Sequence, residues 1–247
     1  MRIVIFSGTT EGRELSGRLA ALGAEVTVSV ATAYGGEEQG TQPGVTTHTG
    51  RLDAGGMAEL LGGAALCVDA THPYAVQATA DIRAACAAAA VPYRRLLRPE
   101  SRVPEGAVSV ADAAEAAAWL AGTEGNILLA TGAKELSCYA ALPPERLFPR
   151  ILPSHEGLRA CEALGVPHRN IIAMQGRFSR ALNEALIRQY DIAWLVTKDG
   201  GAPGGFAEKA EAARAAGAGL LVIRRPPERG ESFAAILREC EALLRPR

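Results

Sequence analysis

Residues 194–209, reading WLVTKDGGAPGGFAEK, concentrate more binding chemistry than any other stretch of the chain. An apolar run ends in Thr197, Lys198 and Asp199; four glycines and a proline follow within six residues; a helical segment then opens with Phe206, Glu208 and Lys209. Glycine lets a backbone come close to a ligand, and a helix N-terminus offers unpaired N–H groups to an anion. Such a loop costs entropy to order, which favours a binding role for Gly200, Gly201, Gly204 and Gly205 over a plain connector.

Other strand ends carry related chemistry. Ser7, Gly8, Thr9, Thr10, Glu11, Gly12 and Arg13 follow the first apolar run and lead into a helix containing Leu15. Gly8 and Gly12 suit a tight turn that brings a pyrophosphate to the helix N-terminus, although the run is not the GxGxxG fingerprint. The plainer reading is a strand-to-helix turn capped by Thr9 or Thr10. The second strand ends at Val30, Ala31 and Thr32, without the acidic residue that usually holds NAD ribose hydroxyls. Ser29, Ala31 and Thr32 leave room for a 2′-phosphate, and Arg13 or Arg51 could pair with it, a lean toward NADPH.

Asp69-Ala70-Thr71-His72-Pro73-Tyr74 follows a third apolar run. Pro73 suits a first helical turn with Thr71 or His72 near the cap, and the polar side chains suit the nicotinamide end of a cofactor. In the second half, Thr131-Gly132-Ala133-Lys134, Arg150, Arg177 and Lys198 lie at the ends of strand-like runs. Each alone could be a solvated surface charge; together they suggest an anionic ligand with several charges.

These positions need elements to hold them at one edge. Strand-like runs lie near residues 2–6, 25–30, 66–69, 93–97, 126–131, 147–152, 170–175, 193–198 and 220–225, and helical patterns separate most of them. The alternation predicts α/β architecture, two Rossmann-like halves with mainly parallel sheets and right-handed crossovers. Residues 98–106, RPESRVPEG, combine prolines and charges without apolar periodicity. They divide the chain into residues 1–97, a nucleotide-binding half, and 98–247. The final helix, 232–244, could pack on either half.

Composition narrows the classes. The chain has 247 residues, 48% hydrophobic and 21% charged, with a net charge of −1. That suits a globular protein with a substantial core and supplies no basic field for nucleic acid. No apolar run approaches the ~20 residues of a membrane span. The five cysteines are scattered without a CxxC pair, and the four histidines show no metal spacing. No metal or disulfide framework is expected, and a reducing cytoplasm is. A monomer is the simplest expectation.

GTTEGR (8–13), DATHPYA (69–75), YRRLLRP (93–99), TGAKEL (131–136) and VTKDGGAPGGFAEK (196–209) together resemble the precorrin-6A reductase family of cobalamin biosynthesis, cobalt-precorrin-6A reductases included. DATHPYA and TKDGGAPGG carry most of the likeness. Ser7 stands where many relatives have glycine. The resemblance implies a two-domain reductase with its active site in the cleft between the halves. It would transfer hydride from NADPH or NADH to a conjugated double bond of the tetrapyrrole macrocycle. On that reading, Gly8, Thr9, Thr10, Glu11 and Gly12 wrap the pyrophosphate, while Ser29, Thr32 and Arg51 face the ribose, with Arg13 nearby. Asp69, Thr71, His72 and Tyr74 line the nicotinamide end. Thr131, Gly132, Lys198, Gly200, Gly201, Gly204, Gly205 and Lys209 meet the macrocycle and its carboxylates, with Lys134, Arg150 and Arg177 as further candidates. Asp69, His72, Tyr74 and Lys198 are the candidate catalytic residues.

Two other readings stay open. A short-chain-type reductase of another small molecule would carry a TyrxxxLys pair, yet Tyr34, Tyr74, Tyr93, Tyr139 and Tyr190 are followed at that spacing by Glu38, Ala78, Leu97, Pro143 and Trp194. A nucleotide-binding module without redox chemistry would bind cofactor and transfer nothing. Cobalt content of the substrate, the choice between NADPH and NADH and the proton donor are not fixed by the sequence.

Overall fold

The computed structural model describes residues 1–98, 101–176, 178–201 and 204–244. The chain forms two compact units: Met1–Pro99 with Pro226–Arg247, and Glu100–Arg225. The last segment therefore returns to the first unit, whereas the sequence division groups it with 98–247.

The first unit is built on a five-stranded parallel sheet of order β3-β2-β1-β4-β5. Its strands are β1 (Arg2–Phe6), β2 (Glu25–Val30), β3 (Val45–Thr49), β4 (Leu66–Asp69) and β5 (Tyr93–Arg95). Successive side chains of a strand point to opposite faces. Ile3 and Ile5 of β1 face one core with Val26, Val28 and Val68, whereas Val4 and Phe6 face the other with Cys67. Helix α1 (Thr10–Ala21) covers the first face through Leu15 and Leu19, both fully buried. Helices α3 (Ala54–Leu61) and α4 (Val76–Ala88) cover the second through Met57, Leu61, Ile82 and Cys86. The short α2 (Ala33–Gln39) links β2 to β3.

The second unit carries a six-stranded parallel sheet of order β6-β11-β10-β7-β8-β9. Its strands are β6 (Val108–Val110), β7 (Asn126–Ala130), β8 (Leu147–Ile151), β9 (Ile172–Ala173), β10 (Ile192–Lys198) and β11 (Gly219–Ile223). Helices α5 (Ala113–Leu120), α6 (His155–Ala163), α7 (Arg180–Gln189) and α8 (Phe206–Ala216) lie between them. Leu195 and Val222 of the sheet pack with Ile187 of α7 and Phe206, Ala212 and Ala213 of α8.

The last helix, α9 (Phe233–Leu244), belongs to the first unit for a packing reason. Ile236 and Cys240 are fully buried against the α1 face, and Glu239 takes two donors of Arg94 at 2.6 and 2.8 Å.

Candidate active site

At the C-terminal edge of the first sheet, the turn after β1 is held by one hydroxyl. Thr9 caps α1, its Oγ1 accepting from Gly12 N at 3.1 Å and donating to the Ala70 carbonyl at 2.8 Å. One side chain thus closes the helix N-terminus and ties it to the end of β4. Gly12 is fixed by space: a Cβ there would lie 2.6 Å from Ser7 Oγ and 2.9 Å from Ala70 Cβ. The Ser7 side chain therefore fills the space beside Gly12. Gly8 has φ +153 and open space where a Cβ would be, which leaves its backbone open to a ligand. A hollow here is lined by Thr9, Glu11, Thr71, Pro73, Leu96 and Arg98. Glu11 is held by Arg98 through Nε at 2.7 Å and a second contact from Nη2, so its charge is already matched.

Asp69, at the end of β4, is fully buried. Its Oδ1 accepts from Thr71 N at 3.0 Å, Thr71 Oγ1 at 2.6 Å and Arg95 Nη1 at 2.8 Å, and its Oδ2 accepts from Tyr93 OH at 2.9 Å. Both oxygens are engaged inside the protein, so Asp69 shapes the edge that Thr71, His72 and Tyr74 occupy. Arg95 also donates to Asp69 O and Thr71 O, and its Nε meets Glu228 at 2.6 Å. Burial opposes the Arg95 charge, but Glu228 and Asp69 outweigh it and hold the pKa above the ordinary value. Burial, and then the Asp69 charge, push the Tyr93 phenol up.

His72 and Tyr74 lie side by side, ring centroids 5.5 Å apart, and Tyr74 N points to His72 Nδ1 at 3.4 Å. Pro73 sits in a turn closed by Ala75 N to His72 O at 2.8 Å, and α4 begins only at Val76, with no side-chain cap. The expected helical start at Pro73 is thus displaced: the chain spends the segment on a turn that presents the two rings.

The residues expected on the ribose side are spread out. Ser29 is buried, with its carbonyl accepting from Ser7 N. Thr32 caps α2 by accepting from Gly35 N at 3.0 Å. Arg13 donates to Glu38 O at 2.7 Å. Arg51 is exposed and, among the described residues, makes no hydrogen bond or ion pair. Thr10 stands in the first turn of α1.

In the second unit, Thr131 follows β7 with a buried Oγ1 that has no hydrogen-bond partner among the described residues. Gly132 next to it has φ +80 and open space at its Cβ position. Lys134 lies in the same turn. Lys198 ends β10 and forms an ion pair with Glu135. The glycine loop is pinned by Asp199, which accepts from Gly201 N at 3.1 Å and Ser101 N at 3.2 Å. Arg225 holds the same residue, Nε to Asp199 O at 2.8 Å. Gly201 and Gly205 have positive φ, 70° and 64°. A Cβ on Gly200 would lie 3.2 Å from Gly204 Cα, so a side chain there would crowd Gly204.

Arg150, in β8, donates to Asn183 Oδ1 at 2.8 Å and stacks on Phe178, 4.1 Å from the ring centre. Burial brings its pKa down to about 10. Lys209, in the first turn of α8, donates to the Gly204 carbonyl at 3.0 Å. Burial first, then the nearby Arg150 charge, lower its pKa to about 8, against smaller upward pulls from Glu208 and Asp199. Arg177 lies outside the described residues.

Sequence reasoning passes over Tyr93, Arg95, Arg98, Asp199, Arg225 and Glu228, the side chains that brace both edges. The signal for the first three is present in YRRLLRP, where arginines sit inside an apolar strand and must find partners.

Comparisons with known proteins give the family. The family model described as precorrin-6x reductase CbiJ/CobK matches residues 2–241. A cobalt-precorrin-6A reductase of Methanothermobacter thermautotrophicus is 37% identical over 92% of this chain and 77% of its own length. A precorrin-6A reductase of Rhodobacter capsulatus is 30% identical over 96% of this chain and 92% of its own. A solved CobK precorrin-6A reductase superposes with a TM-score of 0.77 at 28% identity, covering 97% of this chain and 96% of that one. With the family model spanning nearly the whole length, the chain belongs to the precorrin-6x reductase family of oxidoreductases in cobalamin biosynthesis.

Proposed function

We propose that this chain reduces one conjugated double bond of cobalt-precorrin-6A, giving the 6B form, with NADPH as hydride donor in the cytoplasm. The observation that carries this reading is the contrast between the two sheet edges. The first unit offers a helix N-terminus, an open Gly8 and a hollow lined by Thr9, Thr71 and an already paired Glu11. The second offers Gly200, Gly201, Gly204 and Gly205 together with Lys198, Lys209 and Arg150. A dinucleotide fits the first edge. A flat apolar macrocycle rimmed with acetate and propionate arms fits the second, where cations meet carboxylates.

On this reading Gly8, Thr9, Thr10, Glu11 and Gly12 surround the pyrophosphate, while Ser29, Thr32 and Arg51 take the ribose side. Arg51 rather than Arg13 supplies the cation for a 2′-phosphate, because Arg13 is already engaged with Glu38. Thr71, His72 and Tyr74 flank the nicotinamide, which supplies the hydride when bound, and Asp69 holds their turn in place. Thr131, Gly132, Lys134, Arg150, Arg177, Lys198, Lys209 and the loop glycines hold the macrocycle. The chain's own contribution is orientation and exclusion of water. The preference for the cobalt form follows the cobalt-named relative at 37% identity, against 30% and 33% for two relatives with metal-free names.

The test is an anaerobic assay with precorrin-6A and its cobalt complex, each with NADPH and NADH, following nicotinamide absorbance and product mass. A gain of two hydrogens with matched cofactor oxidation is expected, fastest with the cobalt complex and NADPH. No turnover by folded protein that still binds nucleotide would overturn the proposal and favour a binding module.

A further inference from the structure

Arg150 and Lys209 are two buried cations in the second unit, 7% and 9% exposed. Arg150 uses one donor on the neutral Asn183 side chain, and Lys209 uses one on a backbone carbonyl. Among the described residues neither forms an ion pair within 4.0 Å. Other shielded cations are matched: Arg95 by Asp69 and Glu228, Arg98 by Glu11, Arg225 by Asp199, and Lys198 by Glu135. A buried charge without a counter-charge is strongly unfavourable, and two that repel each other are worse. Among the described residues the Lys209 charge has only partial support, from Glu208 and Asp199, neither of which comes within ion-pair distance.

Their placement is as telling as their isolation. Arg150 is the next-to-last residue of β8, and Lys209 follows the glycine loop in the first turn of α8. Both stand at the C-terminal edge where open α/β sheets take ligands. The Arg150 Cζ lies over the Phe178 ring, 4.1 Å from its centre, and a guanidinium presents several N–H donors in a fork that matches a carboxylate.

We propose that Arg150 and Lys209 form a single carboxylate-binding subsite, in which one acidic side arm of the substrate supplies their missing counter-charge. This rests on the tetrapyrrole reading and narrows it: the principal grip is this pair, and Lys198, already matched by Glu135, is a secondary one. Substrate binding then completes an electrostatic arrangement that the free protein leaves open.

The test uses the full-length chain, Lys209→Met and Arg150→Met. Without ligand, Lys209→Met is expected to melt higher than wild type, because an unmatched buried charge has gone. Tricarballylate, a small tricarboxylate, should raise the melting temperature of wild type and of neither variant. In turnover, each variant should raise KM for cobalt-precorrin-6A by about tenfold or more, a loss of roughly 1.4 kcal/mol per tenfold, with kcat changed far less and nicotinamide affinity kept. A KM within about twofold of wild type in Lys209→Met overturns the subsite, and that variant decides alone if Arg150→Met does not fold. If wild type reduces no tetrapyrrole, the functional reading fails, and tricarballylate decides the subsite: protection that survives in Lys209→Met overturns it.

Discussion

Arg95 Nη1 donates to Asp69 Oδ1 at 2.8 Å, with both side chains closed off from water at 2% and 0% exposure. The same nitrogen reaches Asp69 O, Thr71 O and Thr71 Oγ1, while Nε binds Glu228. One guanidinium therefore joins the end of β4, the turn that carries His72 and Tyr74, and the segment leading back to α9.

Removing that guanidinium leaves Asp69 charged and buried with only neutral partners. Arg95→Met should cost about 3–5 kcal/mol of stability, the usual penalty for breaking a buried pair from one side. Arg95→Lys should also lose much of this, since an ammonium cannot reproduce the fork. Urea unfolding measures both. A loss under about 1 kcal/mol in Arg95→Met would mean that Thr71 and Tyr93 alone hold Asp69.

The pattern of what the sequence reveals follows from range. The turn at Gly8–Gly12 is readable because cap, glycine and helix lie within five residues of one another. The partner of Arg95 is not, because Glu228 lies 133 residues away and no local pattern links them. Strand β3 is hidden for a different reason: VTTHT is polar, half-exposed and at the sheet edge, so it lacks the apolar run of a central strand. Strand β6, three residues long, has too little pattern to read. The destination of α9 is open in the sequence because an amphipathic helix states which face it buries but not against what.

Gly12 offers a test of the proposed nucleotide edge. Alanine is the better helix former by up to ~1 kcal/mol. At this position its Cβ would meet Ser7 Oγ at 2.6 Å and Ala70 Cβ at 2.9 Å. The serine hydroxyl can rotate away; Ala70 Cβ cannot. Overpacking of this kind costs about 1–3 kcal/mol, so Gly12→Ala should be net destabilising despite its propensity. Its dissociation constant for the nicotinamide cofactor should rise, because α1 must shift from the strand end. Paired thermal melts and nucleotide titration decide it, and a Gly12→Ala variant as stable and as tight-binding as wild type would contradict the packing account.

Lys209 makes stability depend on alkaline pH. Its folded pKa of about 8 lies below the ordinary lysine value of 10.5, with burial the main cause and Arg150 next. Below about pH 8 the lysine is charged in both folded and unfolded chains, and the full burial penalty applies. Between about 8 and 10.5 the folded protein loses the proton while the unfolded chain keeps it, so stability rises with pH. The total relief is on the order of 3 kcal/mol. Lys209→Met removes the titrating group and keeps the rest of the chain as its own control. The expected result is that Lys209→Met exceeds wild type in unfolding free energy at pH 7 and that the gap narrows steadily toward pH 10. A gap independent of pH would show that Lys209 is not the group whose proton is displaced by folding.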